Sequence, residues 1–208
     1  PATAQVTPMI DTHMHFQMSP VRNPEGSRQS AISHMDRFGI SRSLLMPPPY
    51  PSTTQRNYYD IEDMQFVLEK SPGRFALLGG GALNALIHQT PADAVTDAVK
   101  AEFRRRAEKI ASLGAVGFGE IAILHVSIPA MGRDHAFESV PPDHPLLLLL
   151  ADIAAEKDLP IDIHCDLVPE DMPLPEVLKD NPLNPPVLTA NAAAFRRFLA
   201  HNPKAKIV

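Results

Sequence analysis

The sequence lacks tryptophan, has a single cysteine and carries no excess of positive charge. A lone cysteine, Cys165, excludes a disulfide within the chain and therefore a small fold held together by disulfides. The net charge of −5 offers no basic surface to a nucleic acid or an anionic membrane, so neither partner is expected. Every apolar run is far shorter than the roughly 20 residues of a membrane-spanning helix, so no membrane span is predicted.

What is present is ordinary for a globular protein. Of the 208 residues, 44% are hydrophobic and 21% are charged, which is typical of a single folded domain. We therefore treat residues 1–208 as one domain that acts on a small molecule, and a homo-oligomer stays open. Histidine, whose side chain can serve as a metal ligand or a proton carrier at neutral pH, is well represented with nine residues.

Short strand-like runs alternate with longer helical patterns along the whole chain. Punctuation by glycine and proline sets the ends of these segments. The predicted strands are Pro8–His15, Ser41–Met46, Phe75–Leu78, Ala115–Ile121 and Pro160–Cys165, with Lys204–Val208 as the opening of a sixth. The predicted helices lie around Ala31–Phe38 and at Tyr58–Lys70, Pro91–Gly114, Pro145–Lys157 and Thr189–His201.

Five complete strand-then-helix units, with the start of a sixth, predict an α/β fold with a parallel sheet and helical crossovers. Two closures satisfy this pattern: an open, doubly wound sheet and a (β/α)8 barrel. Counting the units does not choose between them. The polar residues at the predicted strand ends are more informative.

Two histidines lie at the end of the first predicted strand. Side chains two residues apart on a strand share a face, so Asp11, His13 and His15 are expected on the same side. Two imidazoles held side by side on a strand are a natural pair of metal ligands. An H-x-H spacing is also frequent by chance, so the pair needs support from elsewhere in the chain.

Support comes from two further strand ends. His164 ends the predicted strand Pro160–Cys165, and Glu120 ends the predicted strand Ala115–Ile121. In parallel βα architectures these ends meet at one edge, where functional sites are built. A carboxylate there is costly to bury without a cation or a hydrogen-bond donor. Together His13, His15, Glu120 and His164 predict a metal site.

The sequence resembles the amidohydrolase superfamily of metal-dependent hydrolases. The resemblance lies in IDTHMHF at Ile10–Phe16, GAVGFGEI at Gly114–Ile121 and LPIDIHCD at Leu159–Asp166, in strand-helix order along the whole chain. It is similar to the amidohydrolase-related branch, which includes lactonases, other hydrolases and non-oxidative decarboxylases. The resemblance implies a TIM-type (β/α)8 barrel, of which about five and a half units are present, with metal at its C-terminal mouth.

The resemblance also implies roles for particular residues. His13 and His15 would bind one divalent metal, most simply zinc with manganese as the alternative, and His164 would be a further ligand. Glu120 matches the fourth-strand position that bridges two metals in binuclear members, so we expect a site able to hold two. The family also has a histidine after strand six and a catalytic aspartate after strand eight, neither of which can be assigned in this sequence.

The remaining histidines are expected to play other parts. His125 and His135 lie in the long stretch after the fourth predicted strand and could line a substrate pocket. His201 is expected to be structural, and Cys165 is expected to pack on the face opposite His164 rather than act as a nucleophile. His88 and His144 lie in loops or helix entrances, away from the predicted site.

Three functions follow from this pattern. The first is a hydrolase that attacks an ester, lactone or amide with metal-activated water. The second is a metal-dependent non-oxidative decarboxylase of an aromatic or dienoic acid, in which the metal orients the substrate. The third is a barrel without catalysis that serves as a binding module, which the intact His13, His15 and His164 disfavour. Glu120 favours hydrolysis.

Two expectations concern the ends of the chain. The small residues of Pro1–Gln5 resemble those left after signal-peptide cleavage, which favours export over a cytoplasmic location. A barrel of this type takes about 250 residues, so we expect the native chain to be longer. A histidine is then expected within a few residues of Val208.

Overall fold

The computed structural model describes residues 9–16, 23–128, 130 and 135–208. The segment Pro1–Gln5, on which the expectation of export depends, lies outside the described residues. The strands are β1 (Met9–Met14), β2 (Ile40–Leu45), β3 (Phe75–Gly79), β4 (Gly117–His125), β5 (Glu138–Ser139), β6 (Pro160–Cys165), β7 (Met172–Pro173), β8 (Val187–Leu188) and β9 (Lys206–Ile207). The helices are α1 (Pro24–Phe38), α2 (Ile61–Met64), α3 (Phe66–Lys70), α4 (Gly81–Gln89), α5 (Asp97–Ser112), α6 (Pro145–Lys157) and α7 (Ala192–His201).

The order of the parallel strands decides between the two closures. The main sheet runs β1-β2-β3-β4-β6-β9, so each new parallel strand is added on the same side as the last. A doubly wound sheet reverses its strand order at a switch point, and this sheet does not. The six parallel strands with intervening helices are therefore part of a (β/α)8 barrel, as the sequence predicts. β5 pairs antiparallel with the end of β4.

The core lies between this sheet and its helices. Strand β4 is buried along almost its whole length, because sheet neighbours flank it and helices cover it. Phe103, Ala107 and Ile110 of α5 pack on the core at helical spacing, and α6 contributes Leu146, Leu147 and Leu150. Within the described residues, no helix is both long enough and apolar enough to cross a membrane.

The helices begin and end as their sequences direct, with three differences from the prediction. Gly39 ends α1 in the left-handed conformation, and His144 caps α6 by accepting a hydrogen bond from the amide of Leu146. The helix predicted at Tyr58–Lys70 is two short helices, α2 and α3. The predicted helix Pro91–Gly114 begins with a single 3₁₀ turn, Ala92–Ala94, before α5. Helix α4, which begins at the last of three consecutive glycines, was not predicted.

Helix α4 supplies hydrogen bonds to β4 at a point where β3 no longer pairs with it. The described pairing of β3 with β4 is confined to Gly117 and Phe118. Further along, Asn84 Oδ1 accepts from the amide of Ala122 at 2.9 Å, and His88 Nε2 donates to the Ala122 carbonyl at 2.9 Å. Side chains of α4 therefore satisfy backbone groups of β4 that a neighbouring strand would otherwise bind.

A buried carboxyl group completes this network. Glu138 Oε2 accepts from Asn84 Nδ2 at 2.9 Å and lies 3.2 Å from His88 Nε2. Burial raises the pKa of Glu138 to about 8 and lowers the pKa of His88 to about 4. Because burial disfavours charge on both groups, we assign them as two neutral groups in contact at neutral pH rather than an ion pair.

This assignment predicts how stability changes with pH. The folded state holds a proton on Glu138 up to about pH 8, whereas an unfolded glutamate loses it near 4.5. Glu138 therefore stabilises the fold less as pH rises through this window, and above about 6.5 His88 no longer opposes the trend. We expect Glu138→Gln to reduce the loss of unfolding free energy between pH 6.5 and 8 by roughly 1–2 kcal/mol.

Urea unfolding at pH 6.5, 7.2 and 8.0 measures this effect in the wild type and in Glu138→Gln. Glu102→Gln is the control, because Glu102 is a carboxylate paired with arginines on the surface of α5. Parallel pH profiles for the wild type and Glu138→Gln would show that the Glu138 carboxyl is ionised in the folded state.

Candidate metal centre

Strands β1 and β4 bring three predicted residues together. Ligand atoms of His13, His15 and Glu120 all lie within 4.8 Å of one another. The two imidazole rings meet edge to face, with centroids 4.7 Å apart. Glu120 is buried, whereas His13 is the most exposed of the three. The structure thus brings these residues together, but it corrects one expectation: β4 continues to His125, so Glu120 lies within the strand and not at its end.

A bulge in β4 directs Glu120 to this site. Phe118 pairs with Ile161 and Ile121 pairs with Ile163, so β4 contains one more residue than β6 over this interval. Gly119 and Glu120 form the extra step, and a bulge of this kind redirects a side chain relative to a regular strand. The amide of Glu120 is held by the carbonyl of Pro47 at 3.3 Å, just beyond the end of β2.

Hydrogen bonds at the far side of each ring fix how His13 and His15 present themselves. His15 Nδ1 is 2.9 Å from the carbonyl oxygen of Met46, which is an acceptor, so we assign the proton to Nδ1. His13 Nδ1 lies 3.4 and 3.5 Å from the two carboxylate oxygens of Asp162, which gives the same assignment. In the neutral form each histidine then carries a lone pair on Nε2.

Those two lone pairs converge on a carboxylate. His15 Nε2 lies 3.0 Å from His13 Nε2 and 3.1 Å from Glu120 Oε2, and His13 Nε2 lies 3.7 Å from the same oxygen. Three lone pairs in such proximity are unfavourable unless a proton or a metal cation lies between them. A divalent cation bound by two imidazoles and a carboxylate satisfies all three groups, so the donor set fits the metal that the sequence predicts.

Glu120 contacts His164 through its other oxygen. His164 Nδ1 lies 2.7 Å from Glu120 Oε1. Burial alone would raise the pKa of Glu120, but the contacts of its carboxylate with the imidazoles of His15 and His164 outweigh burial and hold the pKa well below its usual range. The same contact raises the pKa of His164. Glu120 is thus an anion that faces two different sets of imidazoles with its two oxygens.

His164 lies beside the cluster of His13, His15 and Glu120, but it does not belong to the group whose ligand atoms are all within 4.8 Å. Its predicted role as a ligand therefore stays a prediction, as do the roles of the other three residues. Since Nδ1 of His164 faces the Glu120 carboxylate, the nitrogen available for a further cation is Nε2.

The other histidines are located as follows. His125 ends β4 instead of lying in a loop, and its ring contacts those of His164 and His135 at centroid distances of 4.3 and 4.5 Å. Burial lowers the pKa of His125 to about 4, so this ring is neutral at physiological pH. His201 binds Asp152 on α6 through Nε2 and is structural, as predicted. Cys165 packs against the core.

A cavity of about 550 Å³ opens beside His15, between the end of β1 and helix α1. This volume lies within the range of small-molecule sites. Its lining is more apolar than polar, and it includes Phe16, Asn23, Ser30 and His34. The cavity therefore gives a small molecule access to the ring of His15.

Sequence reasoning missed two groups that position the site. Asp162, which contacts His13, lies two residues before His164 on β6, so strand alternation alone places the two side chains on one face. That signal was present in the sequence. The Met46 carbonyl, which orients His15, is a backbone group and leaves no mark in residue type.

Comparison with known proteins shows the fold. No family model matches the chain, and no curated protein matches it. A dihydroxybenzoic acid decarboxylase from Polaromonas sp. JS666, solved with bound manganese and the inhibitor 2-nitroresorcinol, matches at a TM-score of 0.50 with 15% identity, over 97% of this chain and 64% of its own.

Two further solved structures align over 97% of this chain. They are a 2,6-dihydroxybenzoate decarboxylase from Rhizobium, with TM-score 0.48 and 17% identity over 65% of its length, and a Staphylococcus aureus protein assigned as an amidohydrolase, with TM-score 0.49 and 12% identity over 66% of its length. The chain therefore spans about two thirds of the length of these structures. At 15% identity, the likeness to the Polaromonas structure shows the fold alone.

The geometry predicts that Glu120 is needed for cation binding. Glu120→Gln removes the negative charge that faces the two Nε2 lone pairs, so we expect the affinity for Zn²⁺ or Mn²⁺ to fall by at least about tenfold. Isothermal titration of metal-stripped protein measures it. Glu138→Gln, a buried carboxyl group outside the cluster, is the matched control. Equal affinities in wild type and Glu120→Gln would exclude Glu120 from the site.

Proposed function

We propose that this protein is a metal-dependent enzyme of the amidohydrolase superfamily, and that it hydrolyses an ester-, lactone- or amide-like bond. The observation that carries the proposal is the convergence of His13 Nε2, His15 Nε2 and Glu120 Oε2, which β1 and β4 bring together. The three motifs that resemble the superfamily contain these residues and His164, and the barrel fold agrees with that resemblance.

The bound cation would supply the central chemistry of hydrolysis: it would lower the pKa of a bound water towards about 7 and polarise the substrate carbonyl. Zinc is our first choice and manganese the alternative. The residues of the chain prepare the site for it. The Met46 carbonyl and Asp162 hold His15 and His13 in the tautomer with the lone pair on Nε2, and Glu120 offsets the cation's charge.

Glu120 acts in this proposal as a binding group and not as a general base. A carboxylate with a pKa held well below its usual range is a weak proton acceptor at neutral pH. Its two oxygens face different imidazoles, Oε2 towards His13 and His15 and Oε1 towards His164. As the resemblance implies, Glu120 and His164 would be the residues that hold a second cation, beside the one held by His13 and His15.

Decarboxylation of an aromatic or dienoic acid is the second candidate. One observation favours it: the structure that matches with a TM-score of 0.50 is a dihydroxybenzoic acid decarboxylase with bound manganese. The same donor set would then orient the substrate's oxygens. The two reactions differ in their products, because hydrolysis consumes water and gives an acid with an alcohol or amine, whereas decarboxylation releases carbon dioxide.

The reaction type is tested with the full-length protein. The enzyme is stripped with a chelator, reloaded with zinc or manganese, and assayed on a panel of lactones, amides and hydroxylated aromatic acids. We expect hydrolysis that disappears with the chelator, returns with metal, and falls at least about 100-fold in His15→Ala, which loses a ligand. His201→Ala, which changes a histidine on the outer helix α7, is the control and should retain activity.

The products decide between the candidates. Metal-dependent release of carbon dioxide without hydrolysis would replace the proposal with the decarboxylase. Turnover that is unaffected by the chelator and by His15→Ala would contradict both.

A further inference from the structure

Asp162 is a partly buried acidic residue that the roles implied by the family resemblance do not include. It lies on β6, and its side chain is 14% exposed. Both of its carboxylate oxygens face His13 Nδ1, at 3.4 and 3.5 Å. The two residues are 149 positions apart in the chain, so the contact joins the first strand of the sheet to β6 across the site.

The backbone of β4 leaves room for this carboxylate. A Cβ atom placed on Gly119 would lie 2.7 Å from the Cβ of Asp162, which is closer than real side chains approach. It would also lie 3.3 Å from the Asp162 carbonyl oxygen. Glycine at position 119, directly before Glu120, therefore allows β4 and Asp162 to approach each other at the point where the cluster is assembled.

The two histidines of the cluster differ in what holds them. His15 Nδ1 faces a neutral backbone carbonyl, that of Met46, whereas His13 Nδ1 faces a carboxylate. A carboxylate behind a ligating histidine fixes the ring's tautomer and orientation and makes the opposite nitrogen a stronger donor to a metal. Since His13 is also the more exposed of the two rings, it depends more on such a partner to stay in place.

We propose that Asp162 is a positioning residue of the metal centre. Its carboxylate accepts a hydrogen bond from Nδ1–H of His13 and thereby directs the Nε2 lone pair of His13 towards the cation. The inference rests on the proposed function in that it assumes a cation between His13, His15 and Glu120. It adds a carboxylate that sets the affinity of the site without binding the cation itself.

Two substitutions separate the parts of this role. Asp162→Asn keeps an acceptor oxygen of the same shape but removes the charge, so His13 should keep its tautomer while Zn²⁺ affinity falls modestly. Asp162→Leu removes the acceptor as well, so His13 should populate the tautomer with the proton on Nε2, and the affinity should fall by roughly 10- to 100-fold. The order of affinities is therefore wild type, then Asp162→Asn, then Asp162→Leu.

The chain offers a matched control. Asp152 on α6 is also contacted by a histidine through both carboxylate oxygens, since His201 Nε2 lies 3.1 Å from each of them. This pair lies on the outer helices α6 and α7. Asp152→Asn changes the same chemistry at a distance from the cluster, and it should leave both Zn²⁺ affinity and the tautomer of His13 as in the wild type.

The experiment has two readouts on the full-length protein. Proton–nitrogen correlation spectra of protein labelled with ¹⁵N at histidine report the tautomer of His13 in the metal-free state, and calorimetric titration with Zn²⁺ reports affinity. His13→Gln identifies the His13 signals. Circular dichroism and thermal melts confirm that each variant is folded, and the isosteric Asp162→Asn carries the affinity test should Asp162→Leu not fold.

Each outcome bears on one claim. Loss of affinity in the predicted order, with a change of His13 tautomer in Asp162→Leu and no change in Asp152→Asn, supports the positioning role. Folded Asp162 variants with wild-type affinity and an unchanged His13 tautomer would overturn it. If the wild type binds no Zn²⁺, the proposed function fails, while the metal-free spectra still determine whether Asp162 fixes the tautomer of His13.

Discussion

The structure depends on a convergence of acceptors that only a positive charge can relieve. Two imidazole nitrogens from β1 and its end meet a carboxylate oxygen from β4. Asp162 and the Met46 carbonyl bind Nδ1 of His13 and of His15, so the Nε2 lone pairs face Glu120. Bringing these three groups together around the buried Glu120 costs free energy unless a positive charge lies between them. Packing of the sheet offsets that free energy, because it holds β1 and β4 in place.

The rest of the local architecture serves this convergence. The bulge in β4 redirects Glu120, and Gly119 lets Asp162 of β6 approach. Beyond the bulge, Asn84 and His88 of α4 bind the backbone of Ala122, so β4 is held on the side where β3 has already ended. Apart from Gly119, the groups that hold this part of β4 are distant from Glu120 in the sequence. They include Asn84 and His88 of α4 and the carbonyl of Pro47 beyond β2.

Strand alternation and the rule that sites form at the carboxyl ends of parallel strands were enough to predict that His13, His15 and Glu120 lie close together, as the structure shows. They selected His13, His15, Glu120 and His164, and they predicted a parallel sheet whose order the structure confirms as part of a barrel. Asp162 was within reach of the same rule, because it shares the strand face of His164.

Other features were not accessible from one sequence. Helix α4 begins at Gly81, the last of three consecutive glycines. Three glycines in a row indicate a turn or loop, not the start of a helix. A Cβ on Gly80 would lie 3.0 Å from the backbone of Gly119, so the contact that requires glycine is between distant segments. The network of Asn84, His88 and Glu138 likewise joins residues up to 54 positions apart. Such pairings follow from tertiary packing and not from local pattern.

Anomalous diffraction from crystals soaked with Mn²⁺ or Zn²⁺ tests the central claim most directly, because it locates the cation without reference to activity. The account predicts a strong peak within bonding distance, about 2.0–2.2 Å for zinc, of His13 Nε2, His15 Nε2 and a Glu120 oxygen. A structure in which these three groups contact each other with no peak between them, at saturating metal, would contradict it.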